Sequence, residues 1–108
     1  MDEIVEKAKK LKCGYGLDQG VDLGPITNRS HLHKIHSILD TVEKEGGKLI
    51  LDGRGVTVPG YPNGNWIGAS VITNLTTEMT AYKEEIFGPA MCVLTAKSLD
   101  EAITIINK

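Results

Sequence analysis

Apolar positions along this chain change period several times, and each change marks a new element. Between Glu3 and Lys12, Ile4, Ala8 and Leu11 recur at i, i+4 and i+7, the spacing that gathers side chains on one helical face. Gly14 and Gly16 stop that helix, and Cys13 to Gly20 reads as a loop that runs on to Gly24-Pro25. A longer helix is predicted from about Asn28 to Glu45, with Thr27 or Asn28 as its N-cap and Leu32, Ile35, Leu39 and Val42 as its apolar stripe. Gly46-Gly47 tolerates the left-handed exit from it.

The period then shortens. Lys48 to Asp52 is a short apolar strand, Val56-Thr57-Val58 a short extended piece, and Tyr61 to Asn65 a turn. The β-branched residues between Trp66 and Asn74 predict a further strand or two. Met79 to Pro89 is short and mixed, and Ala90 to Leu94 is a continuous apolar run, the pattern of a strand covered on both faces. Ser98-Leu99-Asp100-Glu101 is a capping box that opens a last helix. The order α, α, β, β, β, α predicts an α/β fold, helices packed on a small mixed sheet.

Composition narrows the class without naming a function. At 108 residues the chain has room for one domain at most. A net charge of -2 gives no electrostatic reason to expect nucleic acid or an anionic membrane surface. No apolar run is long enough to span a bilayer, and the acidic, polar start is unlike a secretory signal. Two cysteines, Cys13 and Cys92, make no disulfide framework and suit a reducing compartment. The expected locations are therefore mitochondrial matrix or cytoplasm, not secretion, and the acceptor-like Asn28-Arg29-Ser30 and Asn74-Leu75-Thr76 are read as chance.

Candidate chemistry is sparse. Cys13 lies at the end of a helix, where the negative end of the dipole disfavours a thiolate, and Cys92 lies in an apolar strand, where burial raises a thiol pKa. Neither is a convincing nucleophile, so no catalytic residue is assigned. His31, His33 and His36 share a helix, but no pair has the i, i+4 spacing of helical zinc ligands, so no metal site is assigned. Gly14-x-Gly16-x-x-x-Gly20 is one residue too long for a dinucleotide fingerprint and follows a helix, where the fingerprint must follow a strand.

One segment carries a specific signal: Lys83-Glu84-Glu85-Ile86-Phe87-Gly88-Pro89. Its last six residues match, residue for residue, the Glu-Glu-Ile-Phe-Gly-Pro motif of the aldehyde dehydrogenase superfamily, and the chain resembles that family over nearly its whole length. Asp22 to Thr27 is similar to the Gly-Pro loop before the family's long helix, and Asn63 to Asn74 and Met79-Thr80 continue in register. Leu51-Asp52-Gly53-Arg54, Gly60-Tyr61-x-Asn63-Gly64-Asn65 and Tyr82-Lys83-Glu84-Glu85 most resemble the CoA-acylating methylmalonate-semialdehyde dehydrogenases. Ala90 departs from the Val that usually follows the motif.

The resemblance implies a fragment of an aldehyde dehydrogenase catalytic domain spanning residues 1–108, with NAD as cofactor and CoA as co-substrate. It implies that Glu85 holds the nicotinamide ribose hydroxyls and that Phe87 packs beside the nicotinamide. In some members a Gln and a Lys on the long helix touch the adenosine half; His31 and Lys34 stand at about those positions, and only Lys34 keeps the residue type. The family's catalytic Cys, general-base Glu, oxyanion-hole Asn and cofactor-binding sheet all precede this region. The chain alone is accordingly expected to be inactive, to need an aldehyde and NAD only within a larger enzyme, and to self-associate through exposed strand edges. A free-standing association domain and a non-acylating dehydrogenase are the other readings.

Overall fold

The computed structural model describes residues 1–108 and orders the elements as α1 (Asp2–Lys9), α2 (Arg29–Lys44), β1 (Lys48–Leu51), β2 (Ser70–Thr73), α3 (Thr80–Lys83), β3 (Ala90–Cys92) and α4 (Leu99–Ile106). The sheet has three strands in the order β1-β2-β3. β1 runs antiparallel to β2, and β3 runs parallel to it with Ser70 opposite Ala90 and Ile72 opposite Cys92. This is the small mixed sheet with packed helices that the sequence pattern predicts.

Three local expectations are corrected. An additional one-turn helix, α3, lies inside the mixed segment between β2 and β3. Parallel strands need a long crossover, and residues 74–89 with α3 provide it. Four helical residues are too few for a 3.6-residue period to be read from sequence. The first helix ends at Lys9, three residues early, because Lys10 and Leu11 bond back to Lys7 and Ala8 in i→i−3 fashion that tightens the turn. Finally, β3 is not covered on both faces: it lies at the edge of the sheet, with Met91 50% exposed. An apolar run records what a strand can bury, and the face toward α1 has too little above it.

Alternation along β2 sends its side chains to opposite faces. Ile72 faces α2 and is fully buried with Leu32, Ile35, Ile38, Leu39 and Val42 of that helix. Burying one such side chain stabilises by roughly 1.5–3 kcal/mol, so this face supplies most of the fold's hydrophobic stabilisation. Val71 faces the other way, into a groove of ≈ 510 Å³ roofed by Ile4, Ala8 and Leu11 of α1. α1 buries none of its residues fully.

Two caps behave as the sequence predicts. Asn28, not Thr27, caps α2, its side chain accepting from the His31 N–H at 2.8 Å, a contact that stabilises by about 1 kcal/mol. Ser98 caps α4 by accepting from the Glu101 N–H at 3.1 Å. The return half of that box is displaced, since the Glu101 carboxylate accepts from Lys97 N–H and not from Ser98. At the start of β2, Gly53 and Gly68 cross so closely that a Cβ on Gly53 would lie 2.0 Å from the Gly68 carbonyl oxygen. The Gly68 N–H donates to the Gly53 carbonyl there at 2.8 Å.

Candidate functional site

Residues 84–89 carry the chain from the end of α3 to the start of β3, across the N-terminal turns of α2. One residue anchors them. Ile86 is buried in the core against α2, while Glu85 and Phe87 on either side of it are exposed, Phe87 by 75%. Gly88 then passes so close to α2 that a Cβ would lie 2.7 Å from the Ile35 Cδ1. The Pro89 carbonyl accepts from the Ser70 N–H at 2.8 Å and locks the strip to β2. The segment thus presents a carboxylate and an aromatic ring from a backbone fixed at both ends.

The two presented groups differ in how they are held. The Glu85 carboxylate makes no hydrogen bond or ion pair with the protein, leaving both oxygens available as acceptors. Phe87 adopts φ 54°, the left-handed region that β-carbon sterics disfavour for any residue but glycine. That conformation costs about 1–2 kcal/mol. Its carbonyl oxygen accepts from His31 Nε2 at 2.9 Å, and the two rings meet edge to face with centroids 6.2 Å apart. A hydrogen bond of this kind contributes about 0.5–1.5 kcal/mol, enough to offset much of the backbone cost.

Lys34 stands one turn after His31 on α2, and its Nζ lies 3.9 Å from a Glu84 carboxylate oxygen, with both side chains about half exposed. Such a pair contributes about 0–1 kcal/mol. The fold therefore sets Lys34 against Glu84, while Glu85 makes no ion pair with Lys34 and Phe87 meets α2 through another residue. That residue is His31, which sequence reasoning weighed among three helical histidines as a metal ligand and as a departure from a family position. The available signal was its spacing: three residues before Lys34, it shares a helical face with it.

Neither thiol is activated. Burial pushes the Cys13 thiol up, and Cys13 donates to the Ile67 carbonyl at 3.5 Å. Burial also pushes up Cys92, which donates to the Ala81 carbonyl at 3.7 Å. The glycine-rich loop folds on itself: Gly14 N–H donates to the Leu23 carbonyl, Lys12 N–H to the Asp22 carboxylate, and the next helix starts only at Arg29. Its amides do not line a phosphate cradle. No three His, Cys, Asp or Glu side chains converge in a way that would hold a metal ion.

The aldehyde dehydrogenase family model matches residues 1–108. The chain belongs to the aldehyde dehydrogenase family. It is 46% identical over 107 residues to the mitochondrial acylating methylmalonate-semialdehyde/malonate-semialdehyde dehydrogenase of Bos taurus, covering 99% of this chain and 20% of that protein. The crystal structure of the methylmalonate-semialdehyde dehydrogenase DddC from Oceanimonas doudoroffii superimposes with a TM-score of 0.91 at 35% identity, covering 97% of this chain and 22% of that one. Betaine aldehyde dehydrogenase from Staphylococcus aureus in complex with NAD+ superimposes with a TM-score of 0.93 at 31% identity, over 99% of this chain and 21% of that one. This aldehyde dehydrogenase segment therefore spans about 20% of the length of the bovine relative. The resemblance read from Glu84-Glu85-Ile86-Phe87-Gly88-Pro89 is borne out for the family, and so is its closeness to the methylmalonate-semialdehyde dehydrogenases.

Proposed function

We propose that residues 1–108 form part of the catalytic domain of an NAD-dependent, CoA-acylating methylmalonate-semialdehyde dehydrogenase and supply the wall of the nicotinamide-ribose site. The observation that carries this reading is the presentation of Glu85 and Phe87 on either side of the buried Ile86. A carboxylate with two free acceptor oxygens suits a vicinal diol, because it accepts from both hydroxyls at once. An exposed ring on a fixed backbone suits a flat heteroaromatic neighbour. These residues fit NAD, which when bound supplies the hydride acceptor. The chain's own contribution is orientation: it holds the ribose and limits where the ring can lie. Lys34 is assigned to the same cofactor, on the adenosine side.

Within this reading the isolated chain is inactive. A nucleophilic thiolate is required for the family's chemistry, and burial pushes both thiols here up, away from the thiolate. Mixing the purified chain with NAD, CoA and methylmalonate semialdehyde gives no NADH absorbance above buffer; sustained turnover would sink the proposal. The clasp itself is tested in a chimaera in which residues 1–108 replace the matched region of the bovine relative. There Glu85→Gln raises the KM for NAD by about tenfold or more, the loss of one charge-assisted hydrogen bond. An unchanged KM removes Glu85 from the site. The mitochondrial relatives favour the matrix as the working compartment.

A second reading keeps the clasp and changes the product. That alternative is a non-acylating aldehyde dehydrogenase, whose product is a free acid and not a CoA ester. CoA dependence of the full-length parent enzyme separates the two.

A further inference from the structure

We propose that His31 is a positioning residue that sets the conformation of Phe87, and through it the direction of the exposed ring. The inference rests on the role proposed for Phe87. The geometry is a short chain of contacts. Asn28 caps α2 by accepting the His31 N–H at 2.8 Å, which fixes the backbone of His31 in the first turn. The half-buried imidazole then reaches across to the motif, with Nε2 2.9 Å from the Phe87 carbonyl oxygen. A carbonyl only accepts, so Nε2 carries the proton, and the neutral ring is the Nε2–H tautomer with Nδ1 left as an acceptor.

Phe87 needs such a partner. It is one of two non-glycine residues with positive φ, the other being Asn74, and asparagine tolerates that region far better than phenylalanine. Its side chain is 75% exposed and has little packing of its own to hold the backbone there. Ile86 and Gly88 fix the neighbouring residues against α2, but neither dictates which way the peptide after Phe87 faces. The hydrogen bond from His31 does, and the edge-to-face contact at 73° between the ring planes sets the phenyl direction at the same time.

The test is nuclear magnetic resonance on the full 108-residue chain without cofactor, so its outcome is independent of whether Glu85 holds ribose. Long-range proton–nitrogen correlation spectra above the histidine pKa report the tautomer directly. His31 is expected as Nε2–H, and an Nδ1–H tautomer overturns the proposal. A left-handed residue brings its own Hα and amide proton unusually close, so Phe87 shows a strong intraresidue cross-peak. In His31→Ala that cross-peak weakens to the level of the neighbouring extended residues, while the core methyl signals of Ile35 and Ile72 stay in place. In His31→Gln, whose amide can donate to the same carbonyl, it is restored. Retention of the full cross-peak in His31→Ala, or failure of Gln to restore it, overturns the assignment. The chimaera carrying Glu85→Gln addresses the cofactor reading separately.

Discussion

α1 and α2 are both amphipathic helices laid on the same small sheet, yet they are used in opposite ways. α2 buries Leu32, Ile35, Ile38, Leu39 and Val42 against Ile72 and its neighbours, whereas α1 buries no residue fully. The difference extends to their charges. α2 is tied to the sheet by Asp40, which pairs with Arg54 just past β1. The ion pairs of α1, Glu3 with Lys7 and Glu6 with Lys9, stay within the helix itself. Amphipathicity makes a helix; a partner surface makes it part of a core. The α2 face is complete, and it is the face that positions the motif, through Ile86 in the core and Gly88 against Ile35. The α1 face ends in a groove whose walls include Leu11, Pro89 and Met91.

The largest effect that tests this contrast is a pair of truncations. Ile35 is 0% exposed, and Ile35→Ala is expected to cost about 2–5 kcal/mol. Ile4 is 39% exposed, and Ile4→Ala is expected to cost less than about 1 kcal/mol, since most of its surface is already in water. Urea denaturation of both variants checks the ratio. A loss at Ile4 comparable to that at Ile35 would mean the groove is closed in solution, and a midpoint that shifts with protein concentration would identify a second copy as what closes it. α4, with Leu99 75% and Ile106 80% exposed, adds to the apolar surface available for such association.

The contrast also explains what could be read in advance. α2 was legible because five inward residues repeat at helical spacing behind an Asn cap, and each signal agrees with the others. The motif was legible as a string, and its family membership needed no geometry. What stayed hidden depends on contacts between distant segments. Met91 in an apolar run gives no hint that its strand lies at an edge. The link between His31 and Phe87 joins residues 56 positions apart, and nothing in either neighbourhood announces it. The left-handed backbone of Phe87 is invisible for the same reason, because residue type predicts the opposite.

A smaller effect divides stability from function within the motif. Phe87→Gly removes a left-handed penalty of about 1–2 kcal/mol, sacrifices little packing, and gives back about 0.5–1 kcal/mol through the greater freedom of glycine in the unfolded chain. The variant is therefore expected to be more stable by up to about 1 kcal/mol, while the chimaera carrying it binds NAD less well. Ile86→Ala next to it goes the other way, because that side chain is buried, and is expected to cost about 2–4 kcal/mol. Thermal denaturation of the two variants gives opposite signs. A loss of stability in Phe87→Gly would mean that the ring's edge-to-face contact with His31 outweighs the backbone penalty.

The smallest expected effect concerns Arg54, which pairs with Asp40 of α2 and with Asp52 just past β1. The Arg54 guanidinium, hydrogen-bonded to Asp52, holds the Asp52 carboxyl below its usual range, with burial opposing. A carboxyl depressed by folding contributes stability that is present above its unfolded pKa of about 3.9 and is lost as pH falls through the lower folded value. The chain should therefore lose stability on acidification below about pH 4. Arg54→Ala should flatten that part of the profile. Asp52 is 41% exposed, so solvent screening limits the contribution to less than about 1 kcal/mol. Glu45, depressed by hydrogen bonds from Thr80, adds a slope of the same sign that Arg54→Ala leaves untouched. Denaturant midpoints from pH 6 to pH 3 for the parent, Arg54→Ala and Lys7→Ala separate these. Lys7 pairs with Glu3 through side chains that are 74% and 81% exposed, so its removal should leave the acid slope nearly unchanged. An equal flattening by Lys7→Ala would show that the acid slope is not specific to the Arg54 pair with Asp52, and that α1's exposed ion pair carries a comparable share.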